Sequence, residues 1–282
     1  MTIAVPRFPR LSNVADLDPL VSTPGVEVRF VSLDATLADA DAVVLPGTKN
    51  TVDDLRAAKR EGFDTRLAAF DGPIVGICGG YQMLGQTLGN ARYEGGTVKR
   101  TVQGFAMLPV ATRFGREKTT ARRTVSITSV PPISRAVGTA SGYEIHQGES
   151  RHLAVAATDR EGIETPDADA NSRPGSDGGG KRDDGSGAQE GATQWDAPKV
   201  DEVAVRDPLE PGSVAVSGTL GSYLHGLFDN WAVRQAFVDA VFDHAGRVPP
   251  SRQRPPSTPF EDAATLVETH LDNEFLARLS RK

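Results

Sequence analysis

Gly72-Pro-Ile-Val-Gly-Ile-Cys-Gly-Gly-Tyr-Gln-Met-Leu-Gly-Gln-Thr-Leu88 is the stretch whose reading decides the fold. Its opening, Gly72-Pro-Ile-Val-Gly76, is an apolar run that predicts a buried strand, and Tyr81 to Leu88 predicts a helix. Between them Cys78 stands in a G-x-C-x-G turn, Gly76-Ile-Cys-Gly-Gly80. This is the cysteine counterpart of the G-x-S-x-G nucleophile elbow, a strained strand-to-helix turn with helix-start N–H groups aimed at the nucleophile. The positive end of a helix favours the thiolate, so the placement predicts a lowered cysteine pKa. The competing reading is a core cysteine in a glycine-rich turn. Glycine gives up more conformational freedom on folding than any other residue, which disfavours Gly76, Gly79 and Gly80 as mere core material.

Upstream of the elbow, Ile3-Ala-Val5, Val26 to Val31, Asp41 to Leu45 and Pro73 to Ile77 read as strands. Thr51 reads as the N-cap of a helix from Val52 to Arg60, with Asp53 and Asp54 in its first turn. Strands alternating with helices predict an α/β fold, a mostly parallel or mixed sheet flanked by helices. Sites in such sheets gather at the carboxyl ends of the strands. Cys78 and the Leu45-Pro-Gly-Thr48 turn both follow strands, so the two loops are expected to face one another.

The chain has 282 residues, 38 % of them hydrophobic, and a formal charge of −6, which fits a soluble protein with a sizeable core. No basic stripe stands out, which argues against nucleic acid as a partner. A lone cysteine excludes an internal disulfide and suits a reducing, cytoplasmic setting. Neither a membrane-length apolar run nor a signal-peptide core is present, so no membrane partner is expected. Metal-ligand spacing is missing, and Gly76 to Gly80 lacks the G-x-G-x-x-G dinucleotide pattern.

From Phe105 the pattern becomes β-rich: Phe105 to Phe114, Ala121 to Val130, Gly142 to His146 and His152 to Ala157. Thr158 to Val200, with Gly175-Ser-Asp-Gly-Gly-Gly180, cannot bury enough apolar surface to form a core and reads as a disordered, low-complexity insertion over 158–200. Strands return at Ser213 to Val216 and Gly221 to His225. A helix with Asp229 as N-cap runs to about Asp243, and another spans Pro259 to Leu279 with an apolar stripe expected to pack. A thiol nucleophile needs a base. Of five histidines, His225 and His146 each end a strand beside glycine or an exposed turn, and the pattern alone leaves both open, with a preference for His225.

Gly76-Ile-Cys-Gly-Gly-Tyr-Gln-Met-Leu84, Gly142-Tyr-Glu-Ile-His146 and Tyr223-Leu-His-Gly-Leu-Phe228 together resemble the glutamine amidotransferase domain of the cobyrinic acid and cobyric acid amide synthases. The finer resemblance is to the cobyric acid synthase family. It rests on Ile3 to Asn13, Asp18-Pro-Leu20 and Leu45 to Thr51, and covers 1–282 apart from the insertion. The fold it implies is class I glutamine amidotransferase-like (flavodoxin-like), with a β-rich second half. It implies that Cys78 attacks the side-chain amide of glutamine, that His225 is its base, and that the N–H groups of Gly47 and Gly79 hold the oxyanion. Gln82 is implied to hold the substrate. Ammonia would go to a synthetase site that amidates corrinoid carboxylates.

The chain departs from the wider amidotransferase pattern where a Glu often follows the histidine by two residues. Leu227 stands there, leaving the orienting role unassigned, with Asp229 a candidate by proximity and a helix N-cap as its simpler role. No G-x-x-x-x-G-K-[ST] occurs, and Gly47-Thr-Lys-Asn-Thr51 matches a phosphate loop only superficially. ATP and Mg²⁺ are therefore expected on a synthetase domain or subunit outside this chain, with no cofactor or metal in the chain itself. Two alternatives share the fold: a subunit serving a ligase that amidates cell-wall lipid intermediates, and a non-catalytic scaffold.

Overall fold

The computed structural model describes residues 1–94, 101–153, 209–210, 212–254, 257 and 259–270. The expected insertion at 158–200 lies outside them, as do Ala154 to Ala157. The first half runs β1 (Thr2–Pro6), α1 (Asp18–Val21), β2 (Glu27–Val31), β3 (Ala42–Leu45), α2 (Thr51–Arg60), α3 (Phe63–Ala68), β4 (Ile74–Ile77) and α4 (Gly79–Leu84). There follow β5 (Thr87–Gly89), β6 (Val102–Gln103), β7 (Val110–Ile127), β8 (Thr139–His152) and β9 (Leu209–Glu210). The chain then returns through β10 (Ser213–Val216), β11 (Thr219–Ser222), α5 (Trp231–His244) and α6 (Pro259–His270).

Six strands form the central sheet in the order β10-β11-β4-β3-β1-β2. All neighbours are parallel except β10 against β11. Both faces of the inner strands are covered, which is why β1, β3 and β4 read as continuous apolar runs, while the edge strand β2 is largely exposed. Along the pleat Ile3, Val5, Val44, Val75 and Ile77 turn to a layer built on Leu17, Leu20, Phe237 and Val241. Ala4, Val43, Leu45 and Ile74 turn the other way, onto Leu55, Ala58, Phe63, Leu67 and Leu84. Gly80 lets α4 approach β3: a Cβ there would stand 2.2 Å from the Leu45 carbonyl oxygen. The register Leu45↔Gly76 and Ser222↔Ile77 sets the carboxyl ends of β3, β4 and β11 side by side.

A second sheet, β6-β5-β7-β8 with β9 on β7, holds the β-rich half. Its β7–β8 hairpin pairs from Val110↔His152 to Ser126↔Thr139, with a shift in register between Arg113 and Lys118. The sequence predicts these as four short segments, but they are two long strands, and Phe105 to Pro109 belongs to none.

Several boundaries differ from expectation for identifiable reasons. The helix after Cys78 stops at Leu84 because Gly85 is extended (φ −66°, ψ 175°), and Thr87 and Leu88 join β5 instead. Asn50, not Thr51, caps α2, its side chain accepting from the Asp53 N–H at 3.0 Å. Asp229 is not an N-cap: it closes a 3₁₀ turn over Leu227–Asp229, and Asn230 precedes α5. The stripe of α6 is not covered by any described residue, with Leu266 61 % and Val267 41 % exposed. No helix among the described residues is long and apolar enough to cross a membrane.

Candidate active site

Cys78 follows β4 directly and takes φ 53°, ψ −109°, an unfavourable backbone for a residue with a Cβ. Two contacts fix it there: its N–H donates to Ser222 O at 2.8 Å, and its carbonyl accepts from the Gln82 N–H at 3.0 Å. The strained elbow expected from the glycine pattern is present. The expected lowering of the thiol pKa is not. Burial dominates and pushes the thiol up to about 12, with the Gly79 N–H and the charge of Lys118 pulling the other way and Glu94 and Asp16 adding to the rise. The short helix α4 cannot offset the desolvation of a cysteine only 8 % exposed. The S–H points at the carbonyl of Ile145, 3.7 Å away on β8.

His225 lies three residues beyond β11 and is fully buried. Its Nδ1–H donates to Asp16 Oδ2 at 2.7 Å, while the other oxygen of Asp16 accepts from the Gly226 N–H at 2.9 Å. Asp16 thus fills the orienting position that Leu227 leaves vacant, and fixes the tautomer in which Nε2 is the acceptor nitrogen. Asp229 does not reach the ring. Asp229 is half-buried, its pKa raised first by burial and next by the charge of Asp16. The Asn13 amide nitrogen stands within hydrogen-bond reach of both ring nitrogens, 3.2 Å from Nδ1 and 3.1 Å from Nε2. Tyr143 also stacks on this ring, with centroids 5.0 Å apart and planes 19° from parallel. Tyr143 and His225 exchange both backbone hydrogen bonds, which docks β8 onto the end of β11. Gly142 permits that approach, since a Cβ there would come within 2.1 Å of His225 O.

Gly47 and Gly79 come together from the ends of β3 and β4. A Cβ on Gly47 would meet His225 Cε1 at 3.4 Å, and one on Gly79 would meet Thr48 Cγ2 at 2.5 Å. The 47–51 loop does not form a phosphate cradle. Lys49 N–H is spent on Arg10 O, Asn50 N–H on Thr48 Oγ1, and the Thr48 hydroxyl donates to buried Asp54. Gln82 is buried with every polar position used: Oε1 accepts from Thr51 Oγ1 at 2.9 Å, and Nε2 donates to Gln147 O at 2.9 Å and to Tyr223 Oη at 3.2 Å. Glu94 stands against the same loop, accepting from Thr51 N–H, and burial raises its carboxyl to about 7.

His146, the other base candidate, is engaged elsewhere. Its Nδ1–H donates to Gly148 O at 3.0 Å, its ring stacks on Tyr223 at 3.7 Å, and Nε2 lies 3.8 Å from Glu144. Burial lowers its pKa, against the pull of the Gly148 carbonyl and Glu144. Glu144 in turn accepts from Arg123 Nε at 3.0 Å. The Tyr143 to Gln147 segment therefore reaches His225, Cys78 and Gln82 in succession. Asp16 is the residue that the sequence reading missed. It lies 209 positions from His225 with no motif joining them. The available signal was topological: the loop after β1 opens on the same sheet edge as Cys78.

The arrangement is that of a glutamine amidotransferase fold. The chain matches a structure of a glutamine amidotransferase with a TM-score of 0.51, over 85 % of this chain and 98 % of that one, at 12 % identity. It matches the structure of PurLQS from Thermotoga maritima with a TM-score of 0.50, over 84 % and 97 %, at 17 % identity. The chain belongs to the CobB/CobQ-like glutamine amidotransferase domain family, which residues 2–233 match. Among its relatives, a "Probable cobyric acid synthase" of Halobacterium salinarum is 40 % identical over 96 % of this chain and 44 % of that protein. A "Cobyric acid synthase" of Synechocystis sp. is 33 % identical over 96 % of this chain and 47 % of that protein. The chain thus spans somewhat under half the length of these relatives.

Proposed function

We propose that this chain is the glutamine-hydrolysing half of a cobyric acid synthase, supplying ammonia for ATP-dependent amidation of corrinoid side-chain carboxylates. The observation that carries the reading is the buried Asp16–His225 pair beside a strained cysteine elbow. A structural cysteine needs neither the strain nor an oriented base. Because Cys78 is a neutral thiol, its proton leaves as it attacks: Sγ bonds to the glutamine side-chain carbonyl carbon while His225 Nε2 takes the proton. Asp16 stabilises the imidazolium so formed. The N–H groups of Gly47 and Gly79 receive the oxyanion, each such donor contributing about 3 kcal/mol in acyl-transfer reactions. Collapse breaks the C–N bond, the imidazolium gives its proton to departing ammonia, and a glutamyl thioester remains. Water, deprotonated by His225, attacks that thioester, releasing glutamate and restoring the thiol.

The acceptor is activated with ATP and Mg²⁺ on the synthetase half, so those groups have no part in the steps above. The names of the relatives favour a corrinoid acceptor over a cell-wall lipid intermediate. Ammonia release from glutamine by the purified chain, wild type against Cys78→Ala, tests the reading. Cys78-dependent release supports it. Equal release by both proteins, or no release even with an ammonia-competent synthetase half present, sinks it.

A further inference from the structure

Lys118 and Arg122 project from one face of β7, four residues and so about 13 Å apart along the strand. The register sets Lys118 opposite Gln147 and Arg122 opposite Tyr143, so this face also carries Tyr143, Ile145 and Gln147. It is the face bordering the candidate site: Tyr143 stacks on His225, and the residue as a whole is 42 % exposed. Among the described residues neither Lys118 nor Arg122 has an ion-pair partner, although Arg123, on the other face, is held by Glu144. Lys118 and Arg122 therefore stand as two exposed positive charges beside an exposed aromatic residue. Both cations are exposed on the hairpin, so nothing in the packing of the hairpin itself requires them. The relatives carry chain of comparable length outside their match to this one, which supplies an occupant of the right size for such a surface.

We propose that this face of the β7–β8 hairpin is the docking surface for the synthetase half, which presents an acidic patch to Lys118 and Arg122 and covers Tyr143. The proposal rests on the function proposed above. Complementary charge sets approach and register, and a buried tyrosine is a typical interface anchor. A partner seated there is one ring away from His225, so ammonia leaves the cysteine under cover rather than into solvent.

The test takes the part of the Synechocystis relative outside its match to this chain, in a preparation that amidates with externally supplied ammonia. Its affinity for the present full chain is measured by calorimetry at low and moderate salt. Lys118→Glu combined with Arg122→Glu is expected to weaken binding at least about tenfold and to flatten the salt dependence. Arg29→Glu, on the far edge strand β2, is expected to leave binding unchanged. An unchanged thermal midpoint in the double variant shows that it folds. Overturning results are a wild-type pair that does not associate, a double variant that binds as tightly as wild type, or an equal loss in Arg29→Glu. Glutaminase activity without association sinks the docking surface alone. Salt-sensitive association with no glutaminase activity sinks the proposed function and leaves the surface standing.

Discussion

Replacing Asp16 by Asn keeps size and shape and removes one charge beside His225. In the native site one carboxylate serves two donors, His225 Nδ1–H at 2.7 Å and Gly226 N–H at 2.9 Å. The two donors face different oxygens of the carboxylate, and an amide places an oxygen at only one of those positions. If that oxygen stays with Gly226, the NH₂ faces Nδ1 and drives the proton to Nε2, which removes the base. If it turns to His225, the NH₂ opposes the Gly226 N–H, and a buried donor left without an acceptor costs about 1–3 kcal/mol. Either way the imidazolium formed during attack loses its counter-charge. For centres about 4 Å apart at an effective dielectric of about 20 this is worth about 4 kcal/mol. That corresponds to about a 10³-fold fall in kcat. The assay is steady-state ammonia release with glutamine varied. KM for glutamine should stay within a few-fold, because Asp16 lies behind His225. A kcat within threefold of wild type would refute the assignment of Asp16 as the group that orients and charge-stabilises the base.

Because burial holds the Cys78 thiol near pKa 12, its alkylation by iodoacetamide in the substrate-free chain should climb steadily with pH from 7 to 10. A plateau below pH 8, read by mass spectrometry, would show a thiolate that the environment described here does not produce. Glu94 titrates near 7 against an ordinary 4.5, so it is neutral in the fold at acidic pH and must be ionised against burial above 7. The sign follows: stability is fully present below about 4.5 and is lost as pH rises to 7, by up to about 3 kcal/mol. Glu94→Gln should therefore match wild type in thermal midpoint at pH 4 and exceed it at pH 8; a pH-independent difference would count against the buried carboxyl. Gly80→Ala places a methyl 2.2 Å from Leu45 O, backbone that cannot yield as a side chain would. A loss of about 2–4 kcal/mol is expected by denaturant titration, and a loss under 1 kcal/mol would mean that α4 is not pressed onto β3.

How much of this was legible in the sequence depended on how local each feature is. Ile3 to Val5, Asp41 to Leu45 and Pro73 to Ile77 read correctly as buried strands because a parallel sheet covered on both faces leaves unbroken apolar runs. Cys78 was legible because an elbow is a five-residue event, marked by the glycines that its geometry demands. The hairpin was not: Arg116, Lys118, Arg122 and Arg123 broke the apolar alternation and made one long strand look like separate pieces. Helix ends shifted where one backbone angle decided them, as at Gly85. Asp16 and the raised thiol pKa share one cause. Both come from what packs around the elbow after folding, and neither leaves a trace within a window of sequence.

Asp16, Gly47, Cys78 and His225 follow β1, β3, β4 and β11, strands that lie next to one another in the central sheet. No single element or hairpin contains two of the four, so no partly folded substructure can hold them within reach. The consequence is that chemistry serves as a readout of the whole sheet. In a denaturant series, glutamine hydrolysis should vanish over the same narrow range as the sheet itself, with no active intermediate. Mutations that loosen any one of these strands should then appear first as a falling fraction of competent molecules, each survivor working at full speed.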